Sequence, residues 1–116
     1  MDAAELQRGF HVGEWLVEPR ASRASSSDAV RDLTADELGL LLMLAESHGE
    51  AVGRREIRNR LWPHQPGAEE HLRATVASLR QIFGDTPRQR RYIASVGQDA
   101  LALVAHFRPA EAPAGA

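Results

Sequence analysis

Residues 68–91 read AEEHLRATVASLRQIFGDTPRQRR. Leu72, Val76, Leu79, Ile82 and Phe83 recur in it at helical spacing, which predicts a helix over Ala68–Phe83 with one buried stripe. Glu69 and Glu70 stand where the dipole of a helix start favours negative charge, and Gly84 stands where helices commonly stop. A basic run, Arg88, Arg90 and Arg91, leads from there into a β-branched, strand-like segment. A long amphipathic helix, a basic turn and a hairpin in that order are one way to offer a helix to DNA.

Upstream of this stretch lies a second, shorter helix, expected over Arg54–Leu61. Val52 and Ile57 form a hydrophobic staple around Gly53 as the cap, and Glu56 takes the third helical position. Ile57, Leu61 and Trp62 supply its buried side. Arg54, Arg55, Arg58 and Arg60 line the remainder, either as phosphate contacts or as the solvated face. Pro63 stops the helix, and a turn-rich connector, PHQPG, joins it to the long one. Helix, connector and amphipathic helix make the order of a helix-turn-helix.

Earlier still, Thr34-Ala35-Asp36-Glu37 is a capping box, flanked by a Leu33/Leu38 staple. The leucine-rich helix that it opens ends by Gly49, and its composition implies burial on most sides. Residues 10–33 predict short strands: Phe10 with Val12, Trp15 with Val17, Arg23–Ser27 and Val30–Leu33. After the long helix, RYIASV (91–96) and LALVAHF (101–107) predict a terminal β-hairpin closed at Gly97–Ala100. The expected layout is a flexible N-terminus over 1–9, a domain over 10–107, and a Pro/Ala-rich tail over 108–116.

Composition excludes several classes. The chain has 116 residues, enough for one modest core, and no cysteine, so it builds neither disulfides nor thiolate metal sites. No apolar run approaches the roughly 20 residues that cross a bilayer, and MDAAELQRGF lacks a signal-peptide core, so a cytoplasmic protein without membrane contact is expected. The net charge of −2 conceals an asymmetry. Residues 1–50 carry ten acids and four arginines, while residues 51–116 carry ten arginines and six acids. There is no lysine, and arginine's planar fork suits phosphate and guanine. His11, His48, His64, His71 and His106 are scattered, without the spacing of metal ligands. GEAVGR lacks the Lys-Ser/Thr of a phosphate loop, and Ser25–Ser27 has no nucleophile context. Neither an enzyme nor a bound cofactor is expected.

The short strands, the Leu-rich helix, HGEAVGRREI…LWP, LR…GD and RYI together resemble the OmpR/PhoB family of winged-helix domains, nearest to its ToxR/CadC-like branch. The resemblance runs from Phe10 to about Phe107. It implies an α+β winged helix-turn-helix with a short N-terminal antiparallel sheet, three helices and a C-terminal β-hairpin wing. It further implies a transcription regulator in phosphorelay or one-component signalling, with the third helix in the major groove and the wing (about 91–107) near the minor groove. Double-stranded DNA is then the partner, bound as a homodimer, with RNA polymerase or another regulator as a further one. The DNA contacts expected on this sequence are Arg54, Arg55, Arg58, Arg73, Thr75, Ser78, Arg80, Arg88, Arg90 and Arg91.

The sequence also departs from the family. Glu70, Ala74, Thr75, Ala77 and Ser78 stand where basic or polar DNA-facing side chains are usual, which leaves Arg73 and Arg80 as the basic pair. Arginine reads guanine through two hydrogen bonds, whereas alanine offers thymine only a methyl contact. In the wing, Gln98, Asp99, Ala100, Leu101 and Ala102 replace a basic, Gly-Tyr-Arg pattern. Asp99 would repel phosphate, and Ala100 replaces a glycine free to adopt positive φ. These departures motivate a second reading, a winged helix turned to protein contact.

Overall fold

In the computed structural model, which describes residues 3–109, the chain runs through α1 (Ala3–Gln7), β1 (Phe10–Val12), β2 (Trp15–Glu18), a 3-10 turn (Pro19–Ala21), β3 (Arg23–Ser25) and β4 (Val30–Asp32). It continues through α2 (Ala35–Glu46), β5 (Val52–Gly53), α3 (Arg54–Leu61), α4 (Ala68–Phe83), β6 (Ile93–Val96), β7 (Ala100–Leu103) and β8 (Phe107–Pro109). The strands form two antiparallel sheets, one of five strands in the order β4-β3-β2-β1-β8 and one of three in the order β5-β7-β6. The result is the expected α+β winged helix. Among the described residues no helix is long and apolar enough to cross a membrane.

The strand alternation read at the N-terminus holds. Phe10, Val12, Trp15 and Val17 all face inward, with Phe10 opposite Val17 and Val12 opposite Trp15. Gly13 makes the turn between them at φ +56°, and a Cβ there would come within 2.7 Å of the ring of Tyr92, so the position needs glycine twice over. β4 is an edge strand with every side chain exposed.

α2 is the hub, packing against α1, α3, α4 and β7. Both halves of its capping box form: the Glu37 amide donates to Thr34 Oγ1 at 3.1 Å, and the Thr34 amide donates to Glu37 Oε1 at 2.8 Å. Leu40, Leu41, Met43, Leu44 and Ala45 are buried, and Leu38 and Leu42 are half-buried, which is the burial on most sides that the leucines implied. Its helix ends at Glu46, short of Gly49, because Ser47 caps it and His48 and Gly49 turn to positive φ.

Three boundaries differ from those read in the sequence. Residues 3–7 of the expected flexible start are helical, and Leu6 is fully buried in the core. So short a helix has no periodicity to detect and owes its existence to packing on α2. The expected strand over 101–107 breaks after Leu103: β7 pairs with β5 and β6, whereas Phe107–Pro109 crosses to the other sheet, Phe107 opposite Val12 and Pro109 opposite Phe10. The wing hairpin is therefore β6–β7, and the folded part extends past 107. Residues 110–116 of the expected tail lie outside the described residues. Four α-helices stand among the described residues where three were expected, the addition being α1.

Leu6→Ala should lower unfolding free energy by about 2–5 kcal/mol, since it opens a cavity under α2, and urea denaturation checks it; a flexible terminus would show almost none. Thr34→Ala should cost about 1 kcal/mol in the same measurement through loss of the cap.

Candidate nucleic-acid interface

α4 forms over the residues expected, Ala68–Phe83, and buries Leu72, Val76, Leu79 and Phe83. Gly67 and Gly84 bound it in left-handed backbone, and the Asp85 amide returns to the Arg80 carbonyl at 2.8 Å. Its outer surface carries Glu70, Arg73, Ala74, Ala77 and Gln81, all exposed, with Ser78 half-buried. Thr75 is a correction. Its hydroxyl donates to the His71 carbonyl at 2.7 Å and the residue is 6% exposed, so it faces the core and cannot reach a base. Thr75 stands three positions after Leu72 and four before Leu79, which puts it on the buried stripe rather than opposite it.

One end of α4 is joined to α3 through a single carboxylate. Glu69 Oε1 accepts from Arg54 Nη2 at 2.7 Å and from Arg54 Nε at 3.1 Å, and Glu69 Oε2 accepts from Arg58 Nη1. Arg73 Nε stands 3.8 Å from the same carboxylate, one turn along α4. Burial alone would push the Glu69 carboxyl up. The hydrogen bonds and charges of Arg54 and Arg58 outweigh that and hold it below the usual glutamate range. Its stabilising effect is therefore complete at neutral pH and is lost only as pH falls through the lowered value. Partly exposed pairs of this kind contribute about 0.2–1 kcal/mol each, because water screens them.

The other end of α4 is joined to the wing. Arg80 Nε donates to the Ile93 carbonyl at 3.1 Å and Arg80 Nη2 to Ser95 Oγ at 3.3 Å, tying the helix to β6. Asp85, just past the helix, accepts from the amides of Arg91, Tyr92 and Ile93 at 2.8–3.2 Å and so fixes where β6 begins. At the wing tip the Arg54 amide donates to the Asp99 carbonyl at 2.7 Å, which docks the hairpin on the start of α3. The wing tip itself bears Gln98 and Asp99 and an exposed Val96, without a cation between Ile93 and Leu103.

These links gather four of the expected arginines around one open concavity of about 370 Å³. Arg54 comes from α3, Arg73 and Arg80 from α4, and Arg90 from the turn after it; Val76, Ala77, Gln81 and one carboxylate, that of Asp85, line it too. Burial first, then the charges of Arg90 and Arg54, pull the Arg80 guanidinium below its ordinary value, with Asp85 opposing. A guanidinium keeps its proton regardless, so the cluster is a concentration of positive charge lacking a full complement of anions. Arg55, Arg88 and Arg91 are exposed but do not line the concavity, and Arg58 is turned toward Glu69.

Sequence reasoning found the arginines but missed what joins them. Glu69 was legible only as helix-start charge, although Arg54 and Arg58, one turn apart on the neighbouring helix, form a face fit to receive it. Asp85 was passed over; an acid directly after a terminal glycine, followed by a turn, was the available signal. Gln81 was missed too, one turn beyond Ala77 on the outer face.

The sequence profile of the family described as "Transcriptional regulatory protein, C terminal" matches residues 28–98. Transcriptional regulatory protein KdpE from two strains of Mycobacterium tuberculosis is 31% identical over 93 residues, which cover 78% of this chain and 41% of KdpE. The chain thus spans less than half the length of these curated relatives. Among solved structures, the DNA-binding domain of CadC from E. coli matches with a TM-score of 0.75 at 24% identity, over 87% of this chain and 95% of that one, a likeness of fold. With its two sheets, its helix-turn-helix and a profile match over most of its length, the chain belongs to the transcriptional regulatory protein C-terminal family, the OmpR/PhoB-type winged helices, which are DNA-binding regulator domains rather than enzymes.

Proposed function

We propose that this domain binds double-stranded DNA with α4 in the major groove and the β6–β7 wing toward the minor groove, using Arg54, Arg73, Arg80 and Arg90 as its main phosphate contacts. The observation that carries this reading is the arginine-lined concavity between α3, α4 and the turn after it. An incoming phosphate would relieve the mutual repulsion of Arg80, Arg90 and Arg54. Arg55, Arg88 and Arg91 extend the positive surface as secondary contacts, and Ser78 is the remaining polar side chain able to reach a base edge. Base reading is sparse. Ala74 and Ala77 supply methyl contacts, which favour thymine. Affinity then rests on phosphate neutralisation, with sequence preference arising from shape and from a second copy on an adjacent half-site.

A second reading rests on the wing tip. Exposed Val96 beside Asp99, with no cation in the hairpin, suits a protein surface better than a phosphate backbone. RNA polymerase or a partner regulator would dock there while α4 holds the DNA. Both readings put the protein in the cytoplasm, where its template lies.

Fluorescence anisotropy on duplexes tiled across the region beside its own gene tests the first reading. The logarithm of affinity should fall against the logarithm of salt with a slope of about −3 to −4, as four phosphate contacts require. Arg73→Ala, whose side chain is 68% exposed and holds up no other element, should reduce that slope by about one while leaving the thermal melt unchanged. Absence of binding to every duplex at low salt would sink the reading.

A further inference from the structure

The arginines at the α3–α4 junction already hold an anion, and it belongs to the protein. Glu69 presents its two oxygens to the Arg54 and Arg58 forks, the arrangement in which guanidinium groups grip phosphate, and Arg73 approaches the same carboxylate. The carboxylate sits in the first turn of α4, where the helix dipole favours it, and is ionised throughout the neutral range. It remains 37% exposed, so it is neither sealed in the core nor out of reach of a competing ion. Arg54 is shared between this carboxylate and the concavity. A DNA phosphate entering the concavity therefore meets a guanidinium that is already engaged and a negative charge beside it.

We propose that Glu69 competes with DNA phosphate for Arg54 and Arg58 and so weakens the hold of this surface on any duplex. The inference rests on the DNA-binding reading above. Phosphate neutralisation supplies most of the affinity of such a surface, so an internal rival for the phosphate-binding arginines subtracts from it. Phosphate contacts carry no sequence information, so target and non-target duplexes lose the same amount. Glu18, exposed at the end of β2 and outside the interface, provides the control: removal of the same charge without the contact.

The test compares the full chain with Glu69→Gln and Glu18→Gln, on a scrambled-sequence duplex and on the tightest-binding duplex from the tiled set, by anisotropy across a salt series. Glu69→Gln should bind the scrambled duplex about tenfold more tightly at low salt, with a slope steeper by about one, as one added phosphate contact requires. Its gain on the tightest duplex should be similar, and Glu18→Gln should gain much less on both. Circular dichroism melts establish that each variant is folded, and Glu69→Asp, which keeps the charge, serves where the glutamine variant melts early: it should retain wild-type affinity. Unchanged or weakened scrambled-duplex binding by a folded Glu69→Gln overturns the inference and makes Glu69 an organiser of the arginines. So does an equal gain in Glu18→Gln, which would reduce the effect to net charge. Failure of the DNA reading itself is separate, since it is seen in the wild-type chain and every variant binding no duplex at all.

Discussion

The Asp85 carboxylate is the constraint on which the rest of the interface depends. Three successive backbone amides, those of Arg91, Tyr92 and Ile93, converge on its two oxygens. A carboxylate that accepts several amides is a strong, directional anchor, because each hydrogen bond is charge-assisted and each donor would otherwise need another partner. The exit of α4 and the start of the wing are thereby fixed in one geometry. Tyr92, placed by this anchor, stacks on Phe83 with ring centroids 4.8 Å apart, and its hydroxyl accepts the Glu14 amide at 3.2 Å. Phe83 in turn meets Trp15 edge-on at 5.8 Å. One carboxylate thus connects α4 to the wing and, through three aromatic rings, to the N-terminal sheet.

That rigidity has a consequence for the charge. Arginine is flexible, and an isolated arginine loses side-chain entropy when it grips a phosphate. Arg80 has had much of that freedom removed by Ile93 and Ser95, and Arg54 by Glu69. The partners that restrain these arginines also use up part of their donors. The domain therefore offers a small, preorganised set of cations where a more basic helix would offer many mobile ones. Such a surface can make few phosphate contacts by itself, which would make a second copy or a protein partner more valuable to the whole assembly.

Most of the fold was legible because it rests on local chemistry. The capping box at Thr34 and Glu37, the glycine at position 84 and the stripe from Leu72 to Phe83 each state their structure within a few residues, and α3 and α4 fall on the boundaries read from them. What stayed hidden was long-range. The helix at 3–7 has one buried apolar residue, too little for a periodic signal, and forms because α2 offers Leu6 a place. The segment from Leu101 to Phe107 looks like one strand because alternation does not record which sheet each half joins. At the interface, residue type identified the arginines, but their grouping depends on Glu69 and Asp85, whose partners lie on other elements. Thr75 shows the same limit within a single helix: a polar side chain was assigned to the wet face, although its hydroxyl could be satisfied by the turn beneath it.

Trp62 shows how closely scaffold and interface are joined. It follows α3, is buried, donates its indole N–H to Asp36 at 3.1 Å and stacks on His71 at 5.6 Å. Asp36 lies in the first turn of α2, and His71 lies in the first turn of α4. This one side chain therefore links the starts of two helices at the connector between α3 and α4. The angle at which α4 leaves that connector decides how Arg54 and Arg73 come to line one concavity. Because the indole satisfies Asp36 and covers His71 together, a smaller aromatic at position 62 would lose one of the two and loosen the junction from which α4 starts.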